Sequence, residues 1–198
     1  MLYLKVACNC LRHLTFFFPI GLVGIELPIT ELATEGANGA TDNPFSLLPA
    51  YLQGLGESNP GSVIEIKTVV NGKGVSMFKY LFVAFAASLE GFASIRRVIV
   101  IDRTQLKGKY GGCLLIGSCE NANFQVFPLA FAVVDSENDD AWEWFFWELS
   151  RAVPDTTNLS FVSDRHSSIY KGLRRVSFKL VRLEYFTNIS KFELLDMQ

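Results

Sequence analysis

Short runs of hydrophobic, mostly β-branched residues recur along this chain, and two of them stop at an aspartate. Residues 98–101 (VIVI) are followed by Asp102, and residues 159–162 (LSFV) are followed by Ser163 and Asp164. Apolar runs of this length, bounded by polar residues, are typical of buried strands. We expect the second strand to lie parallel to the first, with the two carboxylates facing a shared cleft where they can hold a divalent metal ion.

The segments around these two runs predict a mixed sheet with helices covering its faces. Polar or glycine-rich turns separate three β-rich stretches, which indicates an antiparallel meander. A helix follows, with Trp142, Phe145, Phe146 and Leu149 on one face and Pro154 at its end. The predicted order is β-β-β-α-β-α, an α/β fold, with strands at 97–102, 113–119, 124–134 and 159–162 and helices at 139–153 and 167–176.

Upstream of this core the pattern predicts a helix and a β-hairpin. Residues 45–55 carry apolar residues at helical spacing, and two β-rich stretches follow, joined by a turn that contains Asn71 and Gly72. Residues 33–44 are small and polar, which is typical of a linker. We therefore divide the chain into an N-terminal segment (1–44), an extension with the helix and hairpin (45–96), the core (97–176) and a tail (177–198).

Composition narrows the class of protein only slightly. The chain has 198 residues, 49% of them hydrophobic, and a net charge of −2, which fits one globular domain and leaves room for a local basic patch. Cys113 and Cys119 lie in an apolar stretch without a zinc-ligand spacing, so we interpret them as buried reduced thiols. The apolar run at 16–25 is shorter than the roughly 18–20 residues of a membrane span. A secretory signal is the minor alternative for that run.

Each candidate residue also has an ordinary structural interpretation. Asp102 can be a strand-to-turn aspartate, and Asp164 can cap the following helix. Arg165 and His166 follow Asp164 directly and can contact a phosphate, or they can lie in a solvated loop. The acidic turn at 135–140 is best explained by helix capping and by the helix dipole.

The glycine-rich turn between the first two core strands is basic. Lys107 and Lys109 can contact a DNA backbone there, or they can form the exposed tip of a hairpin. The tryptophans of the following helix are better explained by packing than by base stacking.

Three blocks of the core resemble the MULE transposase domain of plant Mutator-like elements. They are residues 98–112 (VIVIDRTQLKGKYGG), residues 127–145 (from FPLAFAVVDSEN to WEWF) and residues 161–165 (FVSDR), within a resemblance that runs from about 45 to about 176. The resemblance implies a ribonuclease-H-like fold and DDE-type DNA cleavage and strand transfer. It also implies Asp102 and Asp164 as catalytic metal ligands, Mg²⁺ or Mn²⁺ as cofactor, DNA as partner, possible homo-oligomers and a nuclear location without membrane partners.

The chain also departs from that family. Where the family usually has Asp-Gly-Thr-His, this chain has Asp102, Arg103, Thr104 and Gln105, and a cation at Arg103 can occupy the metal site. The resemblance stops near residue 177, and Glu184 and Glu193 lie too close to Asp164 to be the family's third carboxylate. We therefore expect a C-terminally truncated core and a transposase-derived protein that is catalytically incomplete. The alternative is a non-catalytic DNA- or protein-binding regulator of the same origin.

Overall fold

The computed structural model describes residues 48–106, 111–123, 125–176 and 178, and the backbone of residues 182–185. Four helices lie within these ranges: α1 Leu48–Ser58, α2 Ala86–Phe92, α3 Asp139–Ala152 and α4 Ser167–Arg175. The strands of the described chain are β1 Val63–Val70, β2 Ser76–Ala84, β3 Val98–Gln105, β4 Cys113–Glu120, β5 Val126–Val134, β6 Ser160–Ser163 and β7 Arg182–Tyr185.

The described strands form one mixed sheet in the order β1-β2-β5-β4-β3-β6-β7. Neighbours from β1 to β3 pair antiparallel, while β6 pairs parallel with β3 and with β7. The predicted meander of three core strands is therefore confirmed, and so is the parallel pairing of the fourth core strand with the first. The mixed α/β class is also confirmed.

The N-terminal hairpin is part of this sheet. Strand β2 pairs with β5 over three residues, from Leu81 opposite Val133 to Val83 opposite Phe131. Helix α1 packs Leu48 and Leu52 against the face of the sheet that carries Leu81 and Val83. The hairpin thereby extends the core sheet by two strands and brings its own helix to that face.

Helix α3 covers the other face because its sequence supplies both a cap and an apolar side. The side chain of Asn138 accepts a hydrogen bond from the Ala141 N–H (2.9 Å), which satisfies one of the free amide groups at the helix start. Acidic residues occupy the first turn and Arg151 the last, as the helix dipole favours. The inward face is fully buried and consists of Trp142, Phe145, Phe146 and Leu149.

Aromatic rings join α3 to the sheet edge-to-face. The Phe145 ring centroid lies 5.7 Å from that of Phe82 on β2, and the Phe146 centroid lies 5.6 Å from that of Phe161 on β6. Such offset geometries are favoured by the ring quadrupoles. Because these contacts reach strands on both sides of β3, helix α3 is held across the middle of the sheet.

Helix α4 lies directly against α3 at Gly172. A Cβ at this position would stand 2.9 Å from the backbone of Trp142 and of Glu143, closer than packed atoms allow. Salt bridges close the same interface, from Lys171 to Asp139 (2.8 Å) and from Arg175 to Glu143 (2.8 Å). The two helices therefore form one layer on one face of the sheet.

Several boundaries differ from the sequence prediction. Strand β3 continues to Gln105 rather than ending at 102, and α1 runs through two glycines to Ser58. Strand β7 lies inside the tail, beyond the point near 177 at which we expected the core to be truncated. Trp147 is 54% exposed and contributes no core packing, unlike Trp142. Cys113 and Cys119 are buried free thiols, as predicted.

Candidate carboxylate site beside the parallel strand pair

The two predicted aspartates follow the same end of the parallel strand pair β3–β6. Val98 pairs with Ser160, Ile99 with Phe161 and Val100 with Val162. Asp102 and Asp164 each lie two residues beyond the last paired positions, Val100 and Val162, so both follow the same end of this strand pair. Both aspartates are half-buried.

Asp102 lies within β3, at the point where its β6 neighbour stops. On the β4 side the ladder continues past it, from Asp102 opposite Ile116 to Gln105 opposite Cys113. On the β6 side the last paired residue of β3 is Val100. Asp102 therefore stands on a rigid strand with one open flank. Its Oδ1 accepts a hydrogen bond from the Arg103 N–H at 2.9 Å.

Asp164 lies in the turn that leads from β6 into α4. Its Oδ1 accepts a hydrogen bond from the His166 N–H (3.1 Å), and the Ser163 hydroxyl donates to the Asp164 carbonyl (2.8 Å). The N-cap residue of α4 is His166, whose side chain makes no capping hydrogen bond. Asp164 thus orders the turn before the helix and does not cap the helix itself.

A third acidic residue, Glu137, connects the segments that follow the two aspartates. Its carboxylate lies 2.7 Å from Arg103 Nε and 3.5 Å from His166 Nδ1, and it accepts a hydrogen bond from Trp142 Nε1 at 3.2 Å. Its side chain is 9% exposed. Glu137 therefore ties β3, the β6–α4 turn and the start of α3 to one another.

The pairing with Glu137 also decides where Arg103 points. Side chains alternate between the faces of a strand, so Arg103 shares the α3 side with Ile101, and Asp102 lies on the opposite face. The guanidinium is bound by Glu137 on that side. Arg103 therefore does not lie at the Asp102 carboxylate, which was the alternative that the sequence left open.

Part of the chain, including both aspartates, matches a known protein family. Residues 98–182 match the MULE transposase domain. The matched region begins at the first residue of β3 and ends at the first residue of β7, and it contains Asp102, Glu137 and Asp164. No curated protein and no solved structure matches the chain.

The MULE-matched region differs in extent from the resemblance seen in the sequence. It excludes α1 and the β1–β2 hairpin, although that hairpin is continuous with the sheet of the matched region. It also continues to residue 182, beyond the point near 177 at which we expected the resemblance to stop.

The acidic turn before α3 borders an open depression of about 470 Å³, lined by Glu137, Asn138, Asp139, Asp140 and Ser168. Hydrogen bonds from Lys171 and then Ser168 hold the pKa of Asp139 below its usual value. The Asp139 carboxylate is therefore bound at the α3–α4 interface by Lys171 and Ser168. Within the described residues, no three His, Cys, Asp or Glu side chains are grouped as a metal site.

The predicted DNA-binding residues of the MULE-matched region separate into two groups. Arg165 and His166 are exposed, next to Asp164. Lys107 and Lys109 lie outside the described residues, as does the apolar run at 16–25. Their roles stay predictions. No helix of the described chain is long and apolar enough to cross a membrane.

Sequence reasoning missed Glu137 as a structural centre. It was assigned with the other acids of its turn to helix capping, but Asn138 provides the cap. The signal available in the sequence was that this chain has both an acidic residue at Glu137 and a cation at Arg103 that the resemblance does not lead one to expect. Arg103 stands where the resemblance leads one to expect glycine, and a cation gained at one position can be matched by an acid in another segment of the chain.

Proposed function

We propose that this chain derives from a Mutator-like transposase and that Asp102 and Asp164 form a divalent-metal site for phosphodiester chemistry on DNA. The match of residues 98–182 to the MULE transposase domain supports the origin. The observation that supports the site is the parallel pairing of β3 with β6, since Asp102 and Asp164 each lie two residues beyond its last paired position.

The strand order supports a ribonuclease-H-like core as the underlying fold. The three-strand meander β3–β4–β5 is antiparallel, and β6 returns to pair parallel with β3 on its other side. Strand β7 then adds beside β6. This order, with carboxylates on the first and fourth core strands, is the arrangement that the sequence led us to expect.

The donor set fits a hard divalent cation. Two carboxylates offer only oxygen ligands, and Mg²⁺ binds through one or two carboxylates while keeping several of its waters. Asp102 and Asp164 would hold the ion. When bound, it supplies Lewis-acid activation of a water or a DNA 3′-hydroxyl. Arg165 and His166, exposed beside Asp164, contact the phosphate backbone, and Glu137 positions the segments that carry the two ligands.

A non-catalytic regulator of the same origin is the second candidate, and one observation favours it. Within the described residues, no third metal-binding side chain joins the two aspartates. A DDE-type reaction in the family uses three carboxylates. With two, the site can bind a cation weakly and still leave DNA uncut.

Mn²⁺ binding to the full chain tests the site directly. Mn²⁺ is paramagnetic, so its bound fraction can be read by electron paramagnetic resonance. We expect Asp102→Asn and Asp164→Asn each to weaken binding by about tenfold or more, as removal of a charged ligand does. Glu90→Gln, an exposed carboxylate change on α2, is the matched control and is expected to bind like the unaltered chain.

A nicking assay separates the two candidates. Supercoiled plasmid with Mg²⁺ is expected to be nicked by the unaltered chain and not by Asp102→Asn if the protein is an enzyme. Mn²⁺ binding without nicking identifies the regulator. If the unaltered chain does not bind Mn²⁺, or if Asp102→Asn binds it equally well, the proposed site is wrong.

A further inference from the structure

The outer part of the β1–β2 hairpin extends beyond the body of the sheet. We define the hairpin tip as residues 67–79. Strand β2 pairs with β5 only from Leu81 onward, so the tip has β1 and β2 as its only strands. Residues 67–70 and 72–77 are exposed, although the strands they continue are buried or half-buried further in. Exposure on both faces means that no described element packs on the outer part of the hairpin.

The tip leaves the sheet at the same ends of the strands as the two aspartates, although three strand positions separate β2 from β3. Because β2 is antiparallel to β5, residues before Leu81 lie past the C-terminal end of β5. That end pairs with the start of β4, Val134 opposite Cys113, and the start of β4 pairs with the end of β3, Cys113 opposite Gln105. The hairpin tip and the C-terminal ends of β3 and β6 therefore share one side of the molecule.

The tip is basic in a chain that is slightly acidic overall. It carries Lys67, Lys73 and Lys79, and no Asp or Glu occurs between Glu65 and Glu90. Among the described residues, none of the three lysines takes part in an ion pair, although the ammonium groups of Lys67 and Lys79 lie 5.4 Å and 4.9 Å from the Tyr80 ring centroid. At the base of the hairpin, the charge of Glu65 is already matched by Arg151 at 2.7 Å.

The turn holds the tip in one conformation. Asn71 Oδ1 accepts hydrogen bonds from the Lys73 N–H (2.9 Å) and the Val75 N–H (3.0 Å), and the Asn71 carbonyl accepts one from the Gly74 N–H (3.0 Å). Gly74 has a φ of 76°, which glycine adopts without strain. Lys73 is thereby presented at the apex of an ordered turn, so little conformational entropy is lost when it binds a ligand.

We propose that the hairpin tip is a DNA-binding wing that contacts the phosphate backbone on the side of the molecule that carries the two aspartates. Lysines outside ion pairs fit phosphates, Lys73 at the apex best of the three, and exposed apolar side chains at Val70 (71% exposed) and Met77 (49%) can lie against sugars in a groove. A second copy of this chain fits less well, because it presents the same three positive charges. The location of the DNA on this side rests on the proposed function.

Salt-dependent binding of a short DNA duplex tests the wing. Fluorescence anisotropy on the full chain, in EDTA, gives the slope of log K against log salt. Each lysine that contacts a phosphate adds about 0.9 to the slope, so Lys73→Gln is expected to lower it by about one and the variant with all three lysines changed by nearly three. Arg174→Gln, an equal charge loss at an exposed position on α4, is the matched control and is expected to change the slope far less.

Lysine acetylation with and without DNA locates the contact independently. DNA is expected to slow acetylation of Lys73 several-fold and to leave Lys171 unchanged, as read by mass spectrometry. Protection of Lys73 that grows with protein concentration and needs no DNA would instead identify a self-association surface and overturn the proposal.

The anisotropy experiment and the Mn²⁺ experiment test the wing and the metal site separately, so either proposal can be contradicted without the other. If the tip variants bind DNA like Arg174→Gln, or the unaltered chain does not bind DNA at all, the wing is wrong whatever Mn²⁺ does. If the tip variants lose DNA affinity while the unaltered chain binds no Mn²⁺, the wing stands and the proposed metal site fails.

Discussion

Two regions of the molecule are built by opposite means. One is the layer between α3 and the sheet. The other, here called the edge, consists of the C-terminal ends of β3 and β6 and the Glu137 side chain. The layer consists of fully buried aromatic rings, such as Phe145 and Phe161, whose contacts are apolar and numerous. The edge consists of half-buried or exposed charged groups, held by strand register and by the single carboxylate of Glu137. Most of the stabilising contacts therefore lie in the layer, whereas the candidate functional residues lie where few contacts hold each side chain.

The largest effect should come from the aromatic layer. We expect Phe145→Ala to lower the free energy of unfolding by about 3–5 kcal/mol, because it removes a fully buried ring and leaves a cavity. Urea denaturation followed by circular dichroism measures this. Trp147→Ala on the same helix removes a larger but mostly exposed ring and should change the free energy by less than about 1 kcal/mol. Similar losses from both variants would contradict the comparison.

Gly172→Ala probes the helix–helix part of the layer and should have a smaller effect. Alanine normally stabilises a helix by about 1 kcal/mol relative to glycine. Here its Cβ would meet the backbone of α3, so we expect a net loss of about 1–3 kcal/mol. Gly54→Ala in α1, with no atom within 4 Å of the new Cβ, should instead stabilise. Stabilisation by both changes in the same denaturation assay would show that the helices are not in close contact.

The edge should respond more weakly. For Arg103→Gln and Glu137→Gln we expect a coupling free energy of about 1 kcal/mol in a double-mutant cycle, since Glu137 is buried but Arg103 is 43% exposed. The Lys171–Asp139 pair is more exposed on both sides and should couple by no more than about 0.5 kcal/mol. Equal coupling in the two cycles would mean that the burial of Glu137 adds nothing at this edge.

The same contrast explains how much the sequence predicted. Helix α3 was predicted almost to the residue, because its apolar period, acidic first turn and Pro154 are local signals. The hairpin was predicted for the same reason, from Asn71 and Gly72 between two β-rich stretches.

The edge was predicted less well because its determinants are not local. Nothing in the run from Arg103 to Gln105 indicates a strand, since these residues are polar. Their strand conformation depends on partners in β4, such as Leu115 opposite Arg103. The role of Glu137 likewise depends on two cations supplied by other segments, Arg103 and His166. The parallel pairing of the two strands that lead to the candidate aspartates was predicted from the sequence and is confirmed, whereas their role as a site stays a prediction.

The parallel pairing of β3 with β6 has a consequence for the order of folding. The meander from β3 to β5 joins sequence neighbours by short turns, whereas β3 and β6 pair only after the whole segment between them has been arranged. Closing long loops is slow because entropy is lost before contacts are gained. We expect amide protection in refolding to arise at Leu115 before Val162, as pulse-labelled hydrogen exchange can measure. Strand β6, and with it Asp164, would then join the sheet only after the strands that carry Asp102 have been assembled.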